Sequence, residues 1–214
     1  MAILDDLRQS VITGDASAAE ALTRQALAEG TPAEAVLRQG LIDAMTRVGR
    51  SFEQGEYFVP DMLIAARAMK CALQLLRPAL VQANVQALGT IVIGTVQGDL
   101  HDVGKNLVAT MMEGAGFEVV DLGADVPPAA FVDAVRQHRP ALVGLSALLT
   151  TTMSKMKATI VALGAAGLRD QVKVMVGGAP VTEGFAQEIG ADLYASDASA
   201  AAASARQAVC SSRP

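Results

Sequence analysis

The most informative segment of this 214-residue chain reads Gly94-Thr95-Val96-Gln97-Gly98-Asp99-Leu100-His101-Asp102-Val103-Gly104-Lys105-Asn106. An apolar run, residues 90–93, precedes this segment, and an amphipathic run follows it to Ala115. That order predicts a β-strand, then a loop, then an α-helix. The loop contains His101, which is one of only two histidines in the chain.

The loop also places a carboxylate two residues before the histidine. In an extended loop, the side chains of Asp99 and His101 point to the same side. The carboxylate can then accept a hydrogen bond from one imidazole nitrogen and leave the other nitrogen free to bind a metal. This is the arrangement that orients metal-bound histidines in proteins.

From Thr90 onward, short apolar runs alternate with helical segments. The predicted strands are residues 90–95, 118–121, 141–145, 173–176 and 193–195. The predicted helices lie near residues 104–115, 128–138, 152–166, 181–189 and 197–209. Such alternation predicts a parallel sheet with helices on both faces. Right-handed crossovers favour a flavodoxin-like, doubly wound sheet of five strands.

Residues 1–85 carry only helical signals. Asp15 is placed to cap a helix that runs to Ala28, and Thr31-Pro32-Ala33-Glu34 has the pattern of a capping box with proline at the first helical position. An apolar stripe with helical spacing follows, formed by Leu37, Leu41, Met45, Val48 and Phe52. Four helices are expected, which is enough for a small up-down bundle.

The chain is therefore expected to form two domains, a helical domain at residues 1–85 and an α/β domain at residues 89–210. Pro78 is expected to end the last helix of the bundle. Residues 78–88 are expected to form the linker, and Ser211–Pro214 are expected to fray.

The composition excludes several classes of partner. The net charge of −5 and the aromatic content of 3% argue against nucleic-acid binding, which needs a basic face and favours stacking platforms. No apolar stretch has the length of a membrane span, and the N-terminus is acidic where a signal peptide would be basic. Cys71 and Cys210 lie far apart and are expected to be unpaired thiols in a reducing cytoplasm.

The motif Asp99-x-His101-x-x-Gly104, preceded by Gly98, resembles the cobalamin-binding signature of methionine synthase and the corrinoid methyl-carrier proteins. The resemblance extends over about residues 5–205. It implies that His101 displaces the nucleotide base of a corrinoid and ligates cobalt from below. It also implies that Asp99 and a serine on a later loop relay a proton to or from the histidine. Ser146 is expected to be that serine, because its segment resembles the family's Gly-Leu-Ser loop.

Other segments resemble those that hold the cofactor in this family. Gly177-Gly178 resembles the glycines beside the nucleotide tail, where a missing Cβ lets a flat group lie against the backbone. Residues 194–198 match the end of the fifth strand near that tail, and residues 56–63 resemble the helical cap whose apolar lid covers the cobalt. The residues expected to contact the cofactor are Met62, Leu63, Gly98, Asp99, Leu100, His101, Asp102, Val103, Gly104, Ser146, Leu148, Thr150, Gly177, Gly178, Ala179, Tyr194 and Asp197.

The resemblance implies a corrinoid protein of a multi-protein methyltransferase system, which is not catalytic alone. Such a protein carries a methyl group on cobalt from a substrate-specific methyltransferase to a second, corrinoid:acceptor methyltransferase, whose acceptor is a thiol or tetrahydrofolate. A reductive activase is a further expected partner. The donors of such systems include methylamines, methanol, methoxyaromatics and betaines, and the partner methyltransferase selects among them. Because a partner must reach the cobalt beneath the cap, a hinge is expected within residues 78–88.

Two other functions use similar modules. One is a cobalamin-dependent sensor or regulator, which normally adds a DNA-binding or signalling domain for which this chain is expected to leave no room. The other is the cobalamin subunit of a carbon-skeleton mutase, which resembles the second half of the chain but lacks the helical cap. The methyl carrier is therefore the favoured prediction.

Overall fold

The computed structural model describes residues 2–210, so the fraying expected at Ser211–Pro214 lies outside the described residues. The chain divides into two compact units. The helical unit contains the residues up to Gln86, with the short segment Gly114–Gly116 grouped with it, and the α/β unit contains the remainder. No helix within residues 2–210 is long and apolar enough to cross a membrane.

The helical unit is built from four helices, as the sequence predicts. They are α1 (Ala2–Ile12), α2 (Ala16–Ala28), α3 (residues 33–53, with the π-helical segment Val36–Ile42 inside it) and α4 (Val59–Gln82). The predicted apolar stripe lies on α3, where Leu41, Met45 and Val48 are fully buried. The predicted four-helix bundle is therefore confirmed.

Two predicted helix caps have different outcomes. The carboxylate of Asp15 accepts a hydrogen bond from the N–H of Ala18 at 2.9 Å, which confirms the cap of α2. The predicted capping box at Thr31 is wrong, because α3 begins after Pro32 and no side chain caps it. The carboxylate of Glu34 accepts a hydrogen bond from Arg38 one turn later instead, at 2.8 Å. An ion pair along the helix has replaced the bond back to the cap.

The prediction that Pro78 ends the last helix is also wrong, because α4 continues through Pro78 to Gln82. A proline inside a helix has no N–H to donate to the carbonyl four residues earlier, here that of Gln74. Both residues are exposed, so water can satisfy that carbonyl. The connection without helix or strand is therefore residues 83–89, which is shorter than the predicted linker.

The α/β unit contains a five-stranded, all-parallel sheet in the order β2-β1-β3-β4-β5. The strands are β1 (Thr90–Thr95), β2 (Glu118–Asp121), β3 (Leu142–Ser146), β4 (Lys173–Gly177) and β5 (Leu193–Ala195). The helices are α5 (Val103–Gly114), α6 (Pro128–His138), α7 (Met153–Ala165), α8 (Glu183–Glu188) and α9 (Ala198–Cys210). This strand order confirms the predicted flavodoxin-like fold. The central strands are buried on both faces, which is why they read as continuous apolar runs.

The strand register aligns the carboxyl ends of the sheet. Thr95 lies beside Ser146, Ser146 beside Gly177, and Gly177 beside Ala195. The loops after β1, β3 and β4 therefore leave the sheet at one edge. Ligands of open parallel sheets bind beyond this edge, near the point where the strand order reverses, which here is between β1 and β3.

One lysine is buried in the α/β unit at the start of α5. The Lys105 side chain is 1% exposed, and its Nζ donates hydrogen bonds to Asp121 at 2.5 Å and to the side-chain oxygen of Asn106 at 2.6 Å. Taking an ammonium group out of water is costly unless a carboxylate compensates its charge. The ion pair therefore ties the helix that follows His101 to the end of β2.

Removing the two members of this pair should have unequal effects on stability. Asp121→Asn leaves the buried ammonium of Lys105 without a countercharge and should lower the free energy of unfolding by about 2 kcal/mol. Lys105→Met leaves the side chains of Asp121, which is 39% exposed, and of Asn106, which is also exposed; both can be hydrated, so it should cost about half as much. Urea unfolding of the apoprotein measures both values, and equal losses would contradict this account of the pair.

Candidate functional site

The loop after β1 is held in a defined conformation by its own backbone and by the last residue of the strand. Gly98 has φ +86, a left-handed conformation that glycine adopts without steric cost. The N–H of Asp99 donates to the carbonyl of Val96 at 3.1 Å. The fully buried hydroxyl of Thr95 donates to the carbonyl of His101 at 2.9 Å. The end of the strand therefore fixes where the histidine leaves the loop.

The predicted hydrogen bond between Asp99 and the imidazole is present. The Nδ1 atom of His101 lies 2.7 Å from Oδ1 of Asp99. The carboxylate accepts this bond, so Nδ1 carries the proton and Nε2 has the free lone pair in the neutral ring. The Asp99 side chain is completely buried, whereas that of His101 is 52% exposed. The geometry thus leaves Nε2 without a proton on a ring that is half exposed.

The carboxylate of Asp99 is anchored by the loop after β3. Its Oδ2 atom accepts hydrogen bonds from the N–H groups of Leu148 and Leu149 at 2.8 and 3.2 Å, and from the hydroxyl of Thr152 at 2.8 Å. Burial alone would raise the pKa of Asp99, but the bonds from His101, Leu148 and Thr152 outweigh burial and hold this pKa well below its ordinary value. Asp99 is therefore an ionised acceptor for the imidazole proton.

The contact expected of Ser146 is made by a different residue. Within residues 2–210, the side-chain hydroxyl that bonds Asp99 belongs to Thr152. Ser146 ends β3, where its carbonyl accepts the N–H of Val96 at 3.0 Å. Thr152 precedes α7 and has the residue type of a helix cap, yet its side chain makes no cap bond. Sequence reasoning missed Thr152, and its place before a helix in the same loop was the signal available.

Exposed apolar side chains flank His101 in the loop after β1 and also occur in the β3 loop that binds Asp99. Leu100 and Val103 flank the histidine and are 76% and 74% exposed. Leu148 and Leu149, whose N–H groups bind Asp99, are also exposed. Clustered exposed apolar residues of this kind mark binding surfaces. An apolar surface with one available nitrogen fits a large, flat, partly apolar group that carries a metal.

The glycine pair after β4 has a packing role of its own. A Cβ on Gly178 would lie 1.9 Å from the carbonyl oxygen of Ala147, and Gly178 has φ +135. A Cβ on Gly177 would lie 3.0 Å from the carbonyl oxygen of Ala195. Glycine at these positions therefore lets the loop after β4 approach the neighbouring backbone, in addition to the cofactor contact that the resemblance implies.

Several other predicted contact residues have structural partners. Asp197 caps α9, because its Oδ1 atom accepts the N–H of Ala200 at 2.9 Å. Asp102 accepts a hydrogen bond from the amide of Asn106 at 3.1 Å at the start of α5. Tyr194 is half-buried against the core of the α/β unit. The remaining positions, Gly104, Thr150 and Ala179, lie in or beside the three loops, where Gly104 has open space beside it.

In the helical unit, the two residues predicted to form a lid differ in exposure. Met62 is fully buried, whereas Leu63 is 46% exposed. Phe58, Val59 and Ile64 are exposed apolar neighbours of Leu63 in the sequence. The accessible apolar surface at the start of α4 therefore includes Leu63 but not Met62. The predicted cap segment, residues 56–63, contains Phe58 and ends one residue before Ile64.

Comparison with known proteins identifies the family. Residues 3–77 and residues 89–203 each match a family model described as a B12 binding domain. The trimethylamine corrinoid protein of Methanosarcina barkeri is 42% identical to the chain over 209 residues, which cover 97% of this chain and 96% of the relative. The chain belongs to the corrinoid protein family. Dimethylamine corrinoid protein 1 of Methanosarcina acetivorans is also 42% identical to this corrinoid protein, over 96% of both chains.

Solved structures agree with this assignment. A cobalamin-binding protein from Desulfitobacterium hafniense superposes on the corrinoid protein with a TM-score of 0.80 and is 38% identical, with 96% of this chain and 98% of that chain covered. A chain of the methanol:cobalamin methyltransferase complex MtaBC from Methanosarcina barkeri gives a TM-score of 0.86 at 25% identity, with 97% of this chain and 80% of that chain covered.

The corrinoid protein binds cobalamin and carries methyl groups between methyltransferases, which confirms the predicted cofactor and function. The carrier is thereby favoured over the sensor and the mutase subunit. The residues present fit the cofactor, because the His101 ring is 52% exposed with Nε2 available, and its neighbours in the sequence, Leu100 and Val103, are exposed and apolar. Partner methyltransferases follow from the same comparisons.

Proposed function

We propose that this corrinoid protein receives its methyl group from a methylamine, through a methylamine-specific methyltransferase. The support is the 42% identity, over almost the whole chain, to trimethylamine and dimethylamine corrinoid proteins. The chain matched in the methanol complex is only 25% identical. Because the partner enzyme selects the donor, the part of the corrinoid protein that matters for the choice is its docking surface.

His101 is the protein ligand of cobalt in this proposal, through its Nε2 atom. The observation that carries this role is the 2.7 Å hydrogen bond from Nδ1 to Asp99 on a ring that is 52% exposed. When bound, the corrin would supply the chemistry, through a cobalt that acts as a nucleophile in its lowest oxidation state. The protein contributes axial ligation, orientation and exclusion of water.

Asp99, His101 and Thr152 form the proton-handling unit. When the imidazole is not bound to metal, Nε2 has a free lone pair, while Nδ1 keeps its hydrogen bond to Asp99. The hydroxyl of Thr152 and the N–H of Leu148 keep that carboxylate in place. Ser146, which pairs with Thr95 across β1 and β3, remains a candidate for contact with the cofactor itself.

The other predicted site residues keep roles in the proposal. Exposed apolar residues beside His101 would lie against the bound corrin, the glycines after β4 would line its nucleotide tail together with Tyr194 and Asp197, and Leu63 would belong to the apolar lid. The connection at residues 83–89 acts as the hinge that gives partners access. A second methyltransferase with a thiol or tetrahydrofolate acceptor and a reductive activase complete the system, which works in the reducing cytoplasm where Cys71 and Cys210 stay unpaired.

A reconstitution experiment tests the donor. The cobalamin-loaded protein is mixed with purified methyltransferases specific for trimethylamine, dimethylamine, monomethylamine or methanol, each with its own substrate. Methylation of the bound cofactor, followed by its absorption spectrum, is expected with at least one methylamine enzyme and at a rate at least about tenfold above that with the methanol enzyme, a difference of about 1.4 kcal/mol in activation free energy. Faster methylation from methanol would refute the proposed donor class.

A further inference from the structure

The loop that carries His101 is held from the side by a residue that follows β2. The side chain of Asp125 accepts a hydrogen bond from the N–H of Gly98 at 2.7 Å. The backbone N–H of Asp125 donates to the carbonyl of Asp99 at 3.0 Å. A single residue therefore holds the loop at two consecutive positions, Gly98 and Asp99, which precede Leu100 and His101.

The backbone on either side of Asp125 is hydrogen-bonded to the last residue of β1. The N–H of Val126 donates to the carbonyl of Thr95 at 2.9 Å, and the N–H of Thr95 donates to the carbonyl of Gly123 at 2.9 Å. Val96 and Val126 form an isolated parallel bridge beyond the named strands. The segment that presents Asp125 is thus a continuation of the sheet rather than a free loop, so it provides a fixed reference for the His101 loop.

The backbone of Asp125 adopts a conformation that is unfavourable for most residues. Its φ is +55, in the left-handed region where aspartate and asparagine are tolerated better than other side chains. Asp125 is also exposed, so its hydrogen bonds compete with water. The free-energy cost of the left-handed backbone at Asp125 is similar in size to the free energy gained from its two hydrogen bonds. Together they therefore add little to the stability of the fold. What the bonds determine is the geometry of Gly98 and Asp99.

We propose that Asp125 is a positioning residue for the cobalt ligand. Asp125 fixes the backbone of Gly98 and the carbonyl of Asp99. The buried carboxylate of Asp99 can then accept hydrogen bonds from the β3 loop and from Nδ1 of His101. The bond to Nδ1 in turn sets the direction of Nε2. The inference rests on the proposed role of His101 as the ligand. It assigns to the segment after β2 a role in cofactor binding that the motif around His101 does not contain.

Two substitutions separate positioning from stability. Asp125→Gly removes the acceptor for Gly98 but relieves the left-handed strain, so the free energy of unfolding of the apoprotein should stay the same or rise. Asp125→Asn keeps both an acceptor oxygen and tolerance of the left-handed conformation, so it should behave like the wild type. In the apoprotein, hydrogen exchange at the amide of Gly98 should accelerate about fivefold or more in Asp125→Gly, as expected for the loss of one hydrogen bond.

The cobalamin-loaded proteins provide the second measurement. In protein labelled with nitrogen-15 histidine, the electron paramagnetic resonance spectrum of the cobalt(II) state shows a doublet splitting when the imidazole is bound, whereas a nitrogen of the nucleotide base would give a triplet. The fraction of molecules with this splitting should fall at least about threefold in Asp125→Gly and recover in Asp125→Asn. An unchanged nitrogen signal in Asp125→Gly, or unchanged exchange at Gly98, would overturn the positioning role.

The same experiment distinguishes failure of this inference from failure of the proposed function. If the wild type and His101→Ala gave identical spectra, ligation by His101 would be wrong. The exchange measurement on the apoprotein would still decide whether Asp125 holds the loop, because it does not involve the cofactor. Faster exchange in Asp125→Gly alone would support the loop clamp, and equal exchange in all variants would overturn it.

Discussion

His101→Ala is expected to remove the axial nitrogen from bound cobalt and to reduce methyl transfer by about 100-fold or more, which exceeds the usual effect of losing an outer partner of a metal ligand. Alanine offers no donor atom, so the base-off, His-on absorption spectrum should disappear. The fold should persist, because the His101 side chain is 52% exposed and its carbonyl, which accepts the hydroxyl of Thr95, is retained. Absorption and paramagnetic resonance spectra of the loaded protein measure the change.

The chain contains its own control for this substitution. His138, the other histidine, lies in the last turn of α6 and is exposed. His138→Ala should leave the spectra and the rate of methyl transfer unchanged. Retention of the His-on spectrum in His101→Ala, or its loss in His138→Ala, would contradict the assignment of the ligand.

Asp99→Asn should weaken the binding of His101 to cobalt, because it changes which ring nitrogen of the imidazole carries the proton. The three donors at Oδ2, from Leu148, Leu149 and Thr152, are best satisfied by the remaining carbonyl oxygen of asparagine. The amide group then faces His101 and donates to Nδ1, which moves the ring proton to Nε2 and blocks metal binding. The nitrogen splitting should fall at least tenfold, and nitrogen-15 spectra of the apoprotein should report the exchanged tautomer. An unchanged tautomer would contradict this explanation.

The same substitution should change stability in a pH-dependent way. The added amide also faces the backbone N–H of His101, which now bonds Oδ1 at 3.1 Å, so Asp99→Asn should cost about 2 kcal/mol at neutral pH. The pKa of Asp99 is lowered by folding, so its contribution is complete above the ordinary value of 3.8 and is lost as the pH falls below it. Urea unfolding of apoprotein should therefore show the difference between wild type and Asp99→Asn narrowing below about pH 3.8. If the difference in free energy of unfolding widened below that pH instead, the proposed effect of the Asp99 pKa would be contradicted.

Structural features that depend on residues close together in the sequence could be predicted from the sequence. The alternation of apolar runs with helical segments depends on local periodicity, and the five strands appear in the predicted places, with β3 displaced by one residue and β4 one residue longer. The pairing of Asp99 with His101 was equally accessible, because two residues of extended chain leave little freedom in the relative placement of their side chains. The cap at Asp15 spans three residues and follows the same principle.

Predictions were less successful where a residue had a choice of partner. Glu34 could bond back to a helix cap or forward to Arg38, and the forward bond formed. Pro78 could end a helix, but its exposed position in α4 makes the missing hydrogen bond tolerable. The choice in each case depends on solvent exposure and on competing side chains, which the local pattern does not specify.

The sequence by itself determined the order of strands and helices, the Asp–His pair and the family resemblance, because each is encoded in residues that are close along the chain. Only the tertiary structure decided that Thr152, 53 residues from Asp99, supplies the hydroxyl on the carboxylate, and that Asp125 holds Gly98 from 27 residues away. Those contacts join separate loops at one edge of the sheet. Their formation depends on the register of parallel strands, and a shift of a single residue would bring a different side chain to the site.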